Sequence, residues 1–254
     1  MPEISGETEA IILIKAAPQV GDTHGETVCC AGVDLEGNWL RLYPVSFRYL
    51  KDGQKFGRWD KVSFLWSSPR DDRRVESRRI DQQSLTIIGD LPKRERGQFL
   101  NSLIVTSLNK EREAGRSLAL LKADIKDFIY EKKTDDEIAK ETEKFKLIRD
   151  QADMFNSKPL IPYRPAPYKF KYRYETDDGR REGTCQDWEI EATFYKWSKL
   201  YGEDGALERL VNRWGKEYPE KGVFFAMGTH SQYPDTWLIN GIIRFDEVPQ
   251  LSLF

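Results

Sequence analysis

The chain has 254 residues, room for one large domain or two small ones. Apolar residues are 39% of the total and aromatics 12%, which supplies a core, and the 32% of charged residues is balanced between signs, which excludes a disordered chain. The formal net charge of -2 excludes the basic balance of a histone-like protein, so any nucleic-acid site has to be a local patch.

In chain order, residues 9–15 (EAIILIK) read as a buried strand. Residues 26–33 and 38–45 read as strands joined by a turn at Glu36, Gly37 and Asn38. Two more strands follow at 59–66 and 74–80. Residues 93–105 turn helical, with Phe99, Leu100 and Leu103 at helical spacing, and strand patterns return at 117–122 and 125–130. The spacing then predicts a helix over 135–155. Thr134 caps it, Glu137 completes a capping box, and Ile138, Phe145, Ile148, Ala152 and Phe155 form one apolar stripe. Pro159, Pro162, Pro165 and Pro167 resist both helix and central strand and mark a boundary.

Beyond it, YKFKYRYE at 168–175 is a strong strand, TDDGR turns the chain, and a second strand runs to Cys185. Asp187 caps a helix reaching Tyr201, and a second helix covers 204–215 with Leu207, Leu210, Val211 and Trp214 at helical spacing. Strands at 223–228 and 236–245 close the pattern. The expectation is a β-rich α+β protein of two small OB-like barrel or sheet modules joined by a helix, with a helix pair in the second. The expected division is 1–133, a connecting helix 134–158, 159–246, and a tail 247–254.

Cys29, Cys30 and Cys185 make no disulfide framework and no CxxC pair, which suits a reducing cytoplasm. Acids precede the apolar run 10–14, so no leader peptide is expected, and the run is too short to span a bilayer. Only His24 and His230 occur, and no HxxxH, GxSxG or GxxxxGK[ST] pattern exists. Asp177, Asp178, Asp187, Glu189 and Glu191, with Lys196 nearby, could crowd around a divalent metal and cut phosphodiesters. The same acids serve equally as turn, cap and first-turn residues. A nuclease is therefore the enzymatic alternative, with no catalytic residue, metal or cofactor assigned.

On a strand, 168–174 places Tyr168, Phe170, Tyr172 and Tyr174 on one face and Lys169, Lys171 and Arg173 on the other. Cations beside flat rings suit a single strand of nucleic acid, whereas a core face backed by solvated cations explains the same pattern. Trp39, Arg41 and Tyr43 share one strand face, and Arg48 follows. Such a mixed face meets nucleic acid on OB-like barrels, or packs as core around a satisfied arginine. The assigned contacts are Arg41, Tyr43, Arg48, Lys169, Lys171 and Arg173. Residues 70–79 hold five arginines, partly cancelled by Asp71, Asp72 and Glu76, and form either a phosphate-gripping hairpin or a solvated loop.

The tail QLSLF resembles the peptide by which bacterial polymerases and repair proteins dock on the ring-shaped sliding clamp. Gln250, Leu251, Ser252, Leu253 and Phe254 match it at every position. Burying each apolar side chain in a preformed cleft contributes about 1.5–3 kcal/mol before ordering costs. Gln250 can fix register, and Pro249 stiffens the approach. The alternative is a final strand packing on the chain's own core. The resemblance implies a bacterial or phage setting and a cytoplasmic, nucleoid-associated protein.

The stretch ETVCCAGVDLEGNWLRLYP (26–44), with YKFKYRY (168–174), DWEIE (187–191) and FFAMGTHSQYPDTWLINGIIRF (224–245), resembles a bacterial family described as carrying two OB-like barrels. Its members are associated with mobile genetic elements and defence-type gene sets. Relatives carry further Cys and His between the second and third of these segments. Only Cys185 stands there in this chain, leaving the ligands of a zinc site unmatched. The resemblance implies a DNA-associated adaptor in replication, repair, transposition or phage defence. Its partners would be the clamp, nucleic acid (DNA by preference), and other subunits of a defence or transposition complex.

Overall fold

The computed structural model describes residues 4–21, 25–153, 163–230 and 233–244. The clamp-like tail, Gln250 to Phe254, lies outside them, as do His24, Phe155, Pro159 and Pro162. The fold is α+β and rich in strand.

The first module contains β1 (Ser5–Lys15), the short hairpin β2 (Gln19–Gly21) and β3 (Gly25–Thr27), β4 (Cys30–Val33), β5 (Trp39–Tyr43), β6 (Asp60–Ser67), β7 (Ser77–Ile80) and β8 (Thr86–Asp90). The Ser5–Ile11 part of β1 pairs antiparallel with β6, and the Ile11–Lys15 part pairs antiparallel with β4. β4 pairs with β5, β5 runs parallel to β7, and β7 pairs with β6. The ring β1-β4-β5-β7-β6-β1 therefore closes, giving a five-stranded OB-like barrel to which β8 adds outside β6. Closure removes exposed edges from the five barrel strands. At Gly32 the backbones of β1 and β4 approach so closely that a Cβ would fall 2.5 Å from the Ile11 carbonyl oxygen. The turn after β4 is fixed by Asp34, whose carboxylate accepts from the backbone N–H of Glu36 and Asn38 at 2.9 and 2.8 Å.

The second module follows α1 (Lys93–Asn101). It comprises β9 (Ile104–Val105), α2 (Leu108–Glu113), β10 (Leu118–Lys122), β11 (Asp124–Lys132), α3 (Asp135–Asp153), β12 (Tyr168–Thr176), β13 (Gly179–Cys185), α4 (Trp188–Asn212), α5 (Tyr218–Lys221), β14 (Val223–Thr229) and β15 (Trp237–Arg244). The sheet order is β11-β12-β13-β15-β14-β10-β9, with β13 and β15 parallel. Only Ala123 separates β10 from β11, so the two flanks of this sheet are halves of one bent segment. With 118–132 taken as one strand, the order and directions repeat those of the first barrel.

α3 connects β11 to β12, which pair with each other. The division expected at 133/134 thus runs through the second module, because helical periodicity marks an element without revealing which strands pair across it. The capping box at its start is formed: the Glu137 N–H donates to Thr134 Oγ1 at 3.2 Å, and the Thr134 N–H donates to Glu137 Oε2 at 2.9 Å. The expected helix pair is present as α4, broken at Gly202 (φ 75°, ψ 171°). A π turn at Arg213–Glu217 follows, and the Trp214 carbonyl accepts from the buried Tyr172 hydroxyl at 3.1 Å.

The alternation of buried residues explains why the modules fuse. In β1, Ala10 and Ile12 point into the first barrel, while Ile11 and Leu13, with Ile14 beyond a bulge, face the second module. In β10, Ala119 and Leu121 enter the second module's aromatic core, and Leu118 and Leu120 face the first. β14 divides likewise, with Phe225 and Met227 inward and Phe224 and Ala226 outward. Leu100 and Leu103, at the end of α1, complete this seam. Each fully buried Leu or Ile there contributes about 1.5–3 kcal/mol.

Candidate nucleic-acid interface

In β12 the alternation read from sequence holds. Tyr168, Phe170, Tyr172 and Tyr174 are all buried in the core, and Lys169, Lys171 and Arg173 lie on the outer face. The neighbouring strands, however, bring acids to the same face. Lys171 Nζ lies 2.8 Å from Glu131 and 3.3 Å from Glu182. Arg173 lies 3.1 Å from Glu182 and 3.8 Å from Asp127, and Lys169 lies 2.6 Å from Glu137. Four carboxylates thus match three cations, and the stripe presents no net positive face to phosphate. Asp127 and Glu131 reach it from β11 and Glu137 from the first turn of α3, a placement the sequence does not announce.

Arg41 is 3% exposed, inside the seam. Its guanidinium donates to Ser117 O at 3.1 Å and Ser117 Oγ at 3.3 Å. The Ser117 N–H and Oγ in turn donate to the Glu76 carboxylate at 2.6 and 2.8 Å. This network links the modules and leaves Arg41 no open path to a ligand. Arg48 forms a largely buried ion pair with Glu26 at 2.9 Å. Burial pushes the Glu26 carboxyl up against the opposing pull of Arg48. Tyr43 is half-buried, and burial raises its phenol. Within the arginine-rich segment, Arg74 donates to the Thr229 carbonyl at 3.0 Å, and Arg78 lies 4.4 Å over the Trp66 ring. Arg74 therefore ties this loop to the second module.

The acids at 177–191 are separated in space by role. Asp177 accepts from Thr106 Oγ1 at 2.5 Å. Asp178 accepts from Ser107 Oγ at 2.5 Å and from the Leu108 N–H at 2.7 Å, at the start of α2. Asp187 caps α4 through the Glu189 N–H at 2.9 Å and accepts from the Ile242 N–H at 2.8 Å. Glu191 is held by the Tyr163 hydroxyl at 2.5 Å and the Ala166 N–H at 3.2 Å. Among the described residues no group of three or more His, Cys, Asp or Glu is placed to hold a metal ion.

Cations and flat rings meet elsewhere, at the mouth between the modules. A cavity of about 480 Å³ is lined by Lys15, Phe47, Arg58 and Trp59 from the first module and Asp187, Trp188 and Glu189 from the second. Backbone contacts close its floor: Ala16 bridges Asp187, and the Ala17 N–H donates to Gln186 O at 2.8 Å. Lys15 Nζ lies 4.3 Å from the Phe47 ring centroid and 5.7 Å from that of Trp188. Burial lowers the Lys15 ammonium from its ordinary value. Arg58 donates to the Ile242 carbonyl at 2.6 Å and lies 3.4 Å from Asp187. Trp59 holds a left-handed backbone, φ 77°, unusual for a bulky residue. Sequence reasoning singled out Asp187 and Glu189 as acids but missed Lys15, Phe47, Arg58 and Trp188, which come from four separate segments. Their only advance signal was a lysine ending an apolar strand and a tryptophan at a helix start. A second cavity of about 580 Å³ holds Trp39, Glu76, Arg78, Glu111 and Arg116, but there Arg116 pairs with Glu111 at 2.5 Å and Arg78 covers Trp66.

No helix among the described residues is long and apolar enough to cross a membrane. No curated protein matches the chain. Among solved structures, one described as "Molecular basis for abrogation of activation of pro-inflammatory cytokines" is 9% identical, over 73% of this chain and 78% of that one, with a TM-score of 0.34. Another, "Structure and Conformational Change of a Replication Protein A Heterotrimer Bound to ssDNA", is 11% identical, over 96% of this chain and 67% of that one, with a TM-score of 0.26. At these scores neither likeness carries functional weight. Residues 6–104 match a family described as domain of unknown function DUF8758. Residues 102–254 match a second, domain of unknown function DUF8757, and the two matches meet between α1 and β9, where the first barrel gives way to the second module. Since the second match spans more than half of its length, the chain belongs to the DUF8757 family.

Proposed function

We propose that this chain is a non-enzymatic nucleic-acid-binding adaptor, tethered to the bacterial sliding clamp by residues 250–254. The observation that carries the nucleic-acid half is the meeting of the Lys15 ammonium with the half-buried Trp188 ring, backed by the buried Phe47 and Trp59, at the mouth between two OB-like modules. Cations for phosphate and rings for unstacked bases are what a single strand needs, in a fold that commonly supplies such grooves. The tether rests on Gln250, Leu251, Ser252, Leu253 and Phe254. DNA is the preferred polymer, and replication, repair, transposition or phage defence the setting. A tether raises local concentration, so neither contact need be strong alone.

Two measurements test this reading. Single-stranded DNA binding by the whole chain should weaken steeply with salt. Deleting residues 250–254 should abolish capture of the purified clamp and leave DNA affinity unchanged. Clamp capture without any DNA binding at low salt would reduce the protein to an interaction subunit of a defence or transposition complex. Clamp capture that survives the deletion would remove the tether.

A further inference from the structure

We propose that the cleft between the modules receives one unstacked nucleotide of a single strand, with its base against Trp188 and its phosphate at Lys15. The inference rests on the nucleic-acid reading above and narrows it to one site and one kind of occupant.

The cavity, about 480 Å³, falls in the size range of small-ligand sites, and it lies where two modules meet, a common place for them. Trp188 supplies the platform. It is half-buried, and its ring neighbours among the described residues, Phe47 and Tyr163, meet it at 83° and 81°. They brace the indole edge-to-face, and neither stacks on it, so a flat base can take that position.

Lys15 supplies the charge. Its ammonium has three donors, and its hydrogen bond to the Phe56 carbonyl is long, at 3.4 Å. It rests against the Phe47 and Trp188 rings, where a phosphate would offer stronger, charge-assisted bonds. Glu189 is exposed at the rim. The opposite wall is held firmly. Trp59 donates its N–H to Ile12 O and accepts from the Leu91 N–H, both at 2.8 Å, and Arg96 lies 4.5 Å over its ring. A paired base inside a duplex cannot reach a recessed wall of this kind, so the cleft favours single-stranded nucleic acid.

The test uses the whole chain and an oligodeoxyadenylate of about twelve nucleotides carrying one 2-aminopurine, a length within the span of an OB module. Binding should quench the 2-aminopurine. Trp188→Ala should bind roughly tenfold more weakly and lose the quench, while Trp188→Phe keeps most of both. Lys15→Gln should lower the salt slope by about one. Thermal unfolding of each variant separates a lost site from a lost fold, and the milder Trp188→Phe and Lys15→Gln keep the test available if Trp188→Ala unfolds. Salt-sensitive binding with no quench, equal in all variants, would overturn the cleft and leave the nucleic-acid reading intact. Adenosine monophosphate binding that depends on Trp188, with no oligonucleotide binding, would overturn the strand as the source of the nucleotide. Binding of neither probe would overturn both readings.

Discussion

Arg41 is a charged residue in the seam between the two modules, where its hydrogen bonds to Ser117 stand in for water. Replacing it with alanine removes hydrogen bonds from a charged donor and leaves Glu76 with a weaker surrounding. We expect Arg41→Ala to lower unfolding free energy by about 1.5–3 kcal/mol, read from urea denaturation, without changing the salt slope of DNA binding. A change in salt slope with stability preserved would mean that the guanidinium reaches phosphate after all. Glu137 carries a pH effect at the same scale. The Lys169 ammonium and the Thr134 N–H hold its carboxyl down at about 2, from an ordinary 4.5. A depressed folded value stabilises the fold fully above the ordinary value, and the effect is lost as pH falls through the folded one. The difference in urea midpoint between the native chain and Glu137→Gln should therefore be constant above about pH 5 and shrink towards pH 2. A difference independent of pH would show that the capping box does not depend on the charge.

At the level of elements, α4 turns on one residue. Gly202 has φ 75° and ψ 171°, and a Cβ added there would meet nothing within 4 Å. The cost of Gly202→Ala is thus conformational and not steric. It should reach about 1–3 kcal/mol by chemical denaturation, whereas a straightened helix would make the change neutral. Most elements were legible in the sequence, because period and caps are local signals. Thr134 with Glu137, Asp187 before α4, and the alternation of 168–174 all declared themselves. β8 and α2 did not: Thr86–Asp90 is mostly exposed and lacks alternation, and Leu108–Glu113 is one short polar turn. The candidate site was scarcely legible. Lys169, Lys171 and Arg173 were placed on the correct face, but the acids that match them sit on the neighbouring strands and on the first turn of α3, and that adjacency is a property of the fold. Lys15 and Trp188 are 173 residues apart and become neighbours only when the modules join.

The whole molecule behaves as one body if the seam is as important as its composition suggests. Leu13, Leu118, Leu120 and Ile14 are fully buried between the modules. Leu120→Ala should cost about 2–5 kcal/mol and lower the stability of both modules together. Hydrogen exchange at β4 and at β12 should report the same loss, and a loss confined to β12 would show that the modules unfold independently. The segment EAIILIK then has a property that ordinary half-buried strands lack. Neighbouring letters of it belong to different interiors, Ala10 and Ile12 to one and Ile11 and Leu13 to the other. Slip this strand by a single residue and Ala10, Ile11 and Ile12 change owners, so that each hydrophobic interior is handed side chains shaped for its neighbour. Seven letters thus act as a shared reading frame, and one slip in it would misfold both modules at once.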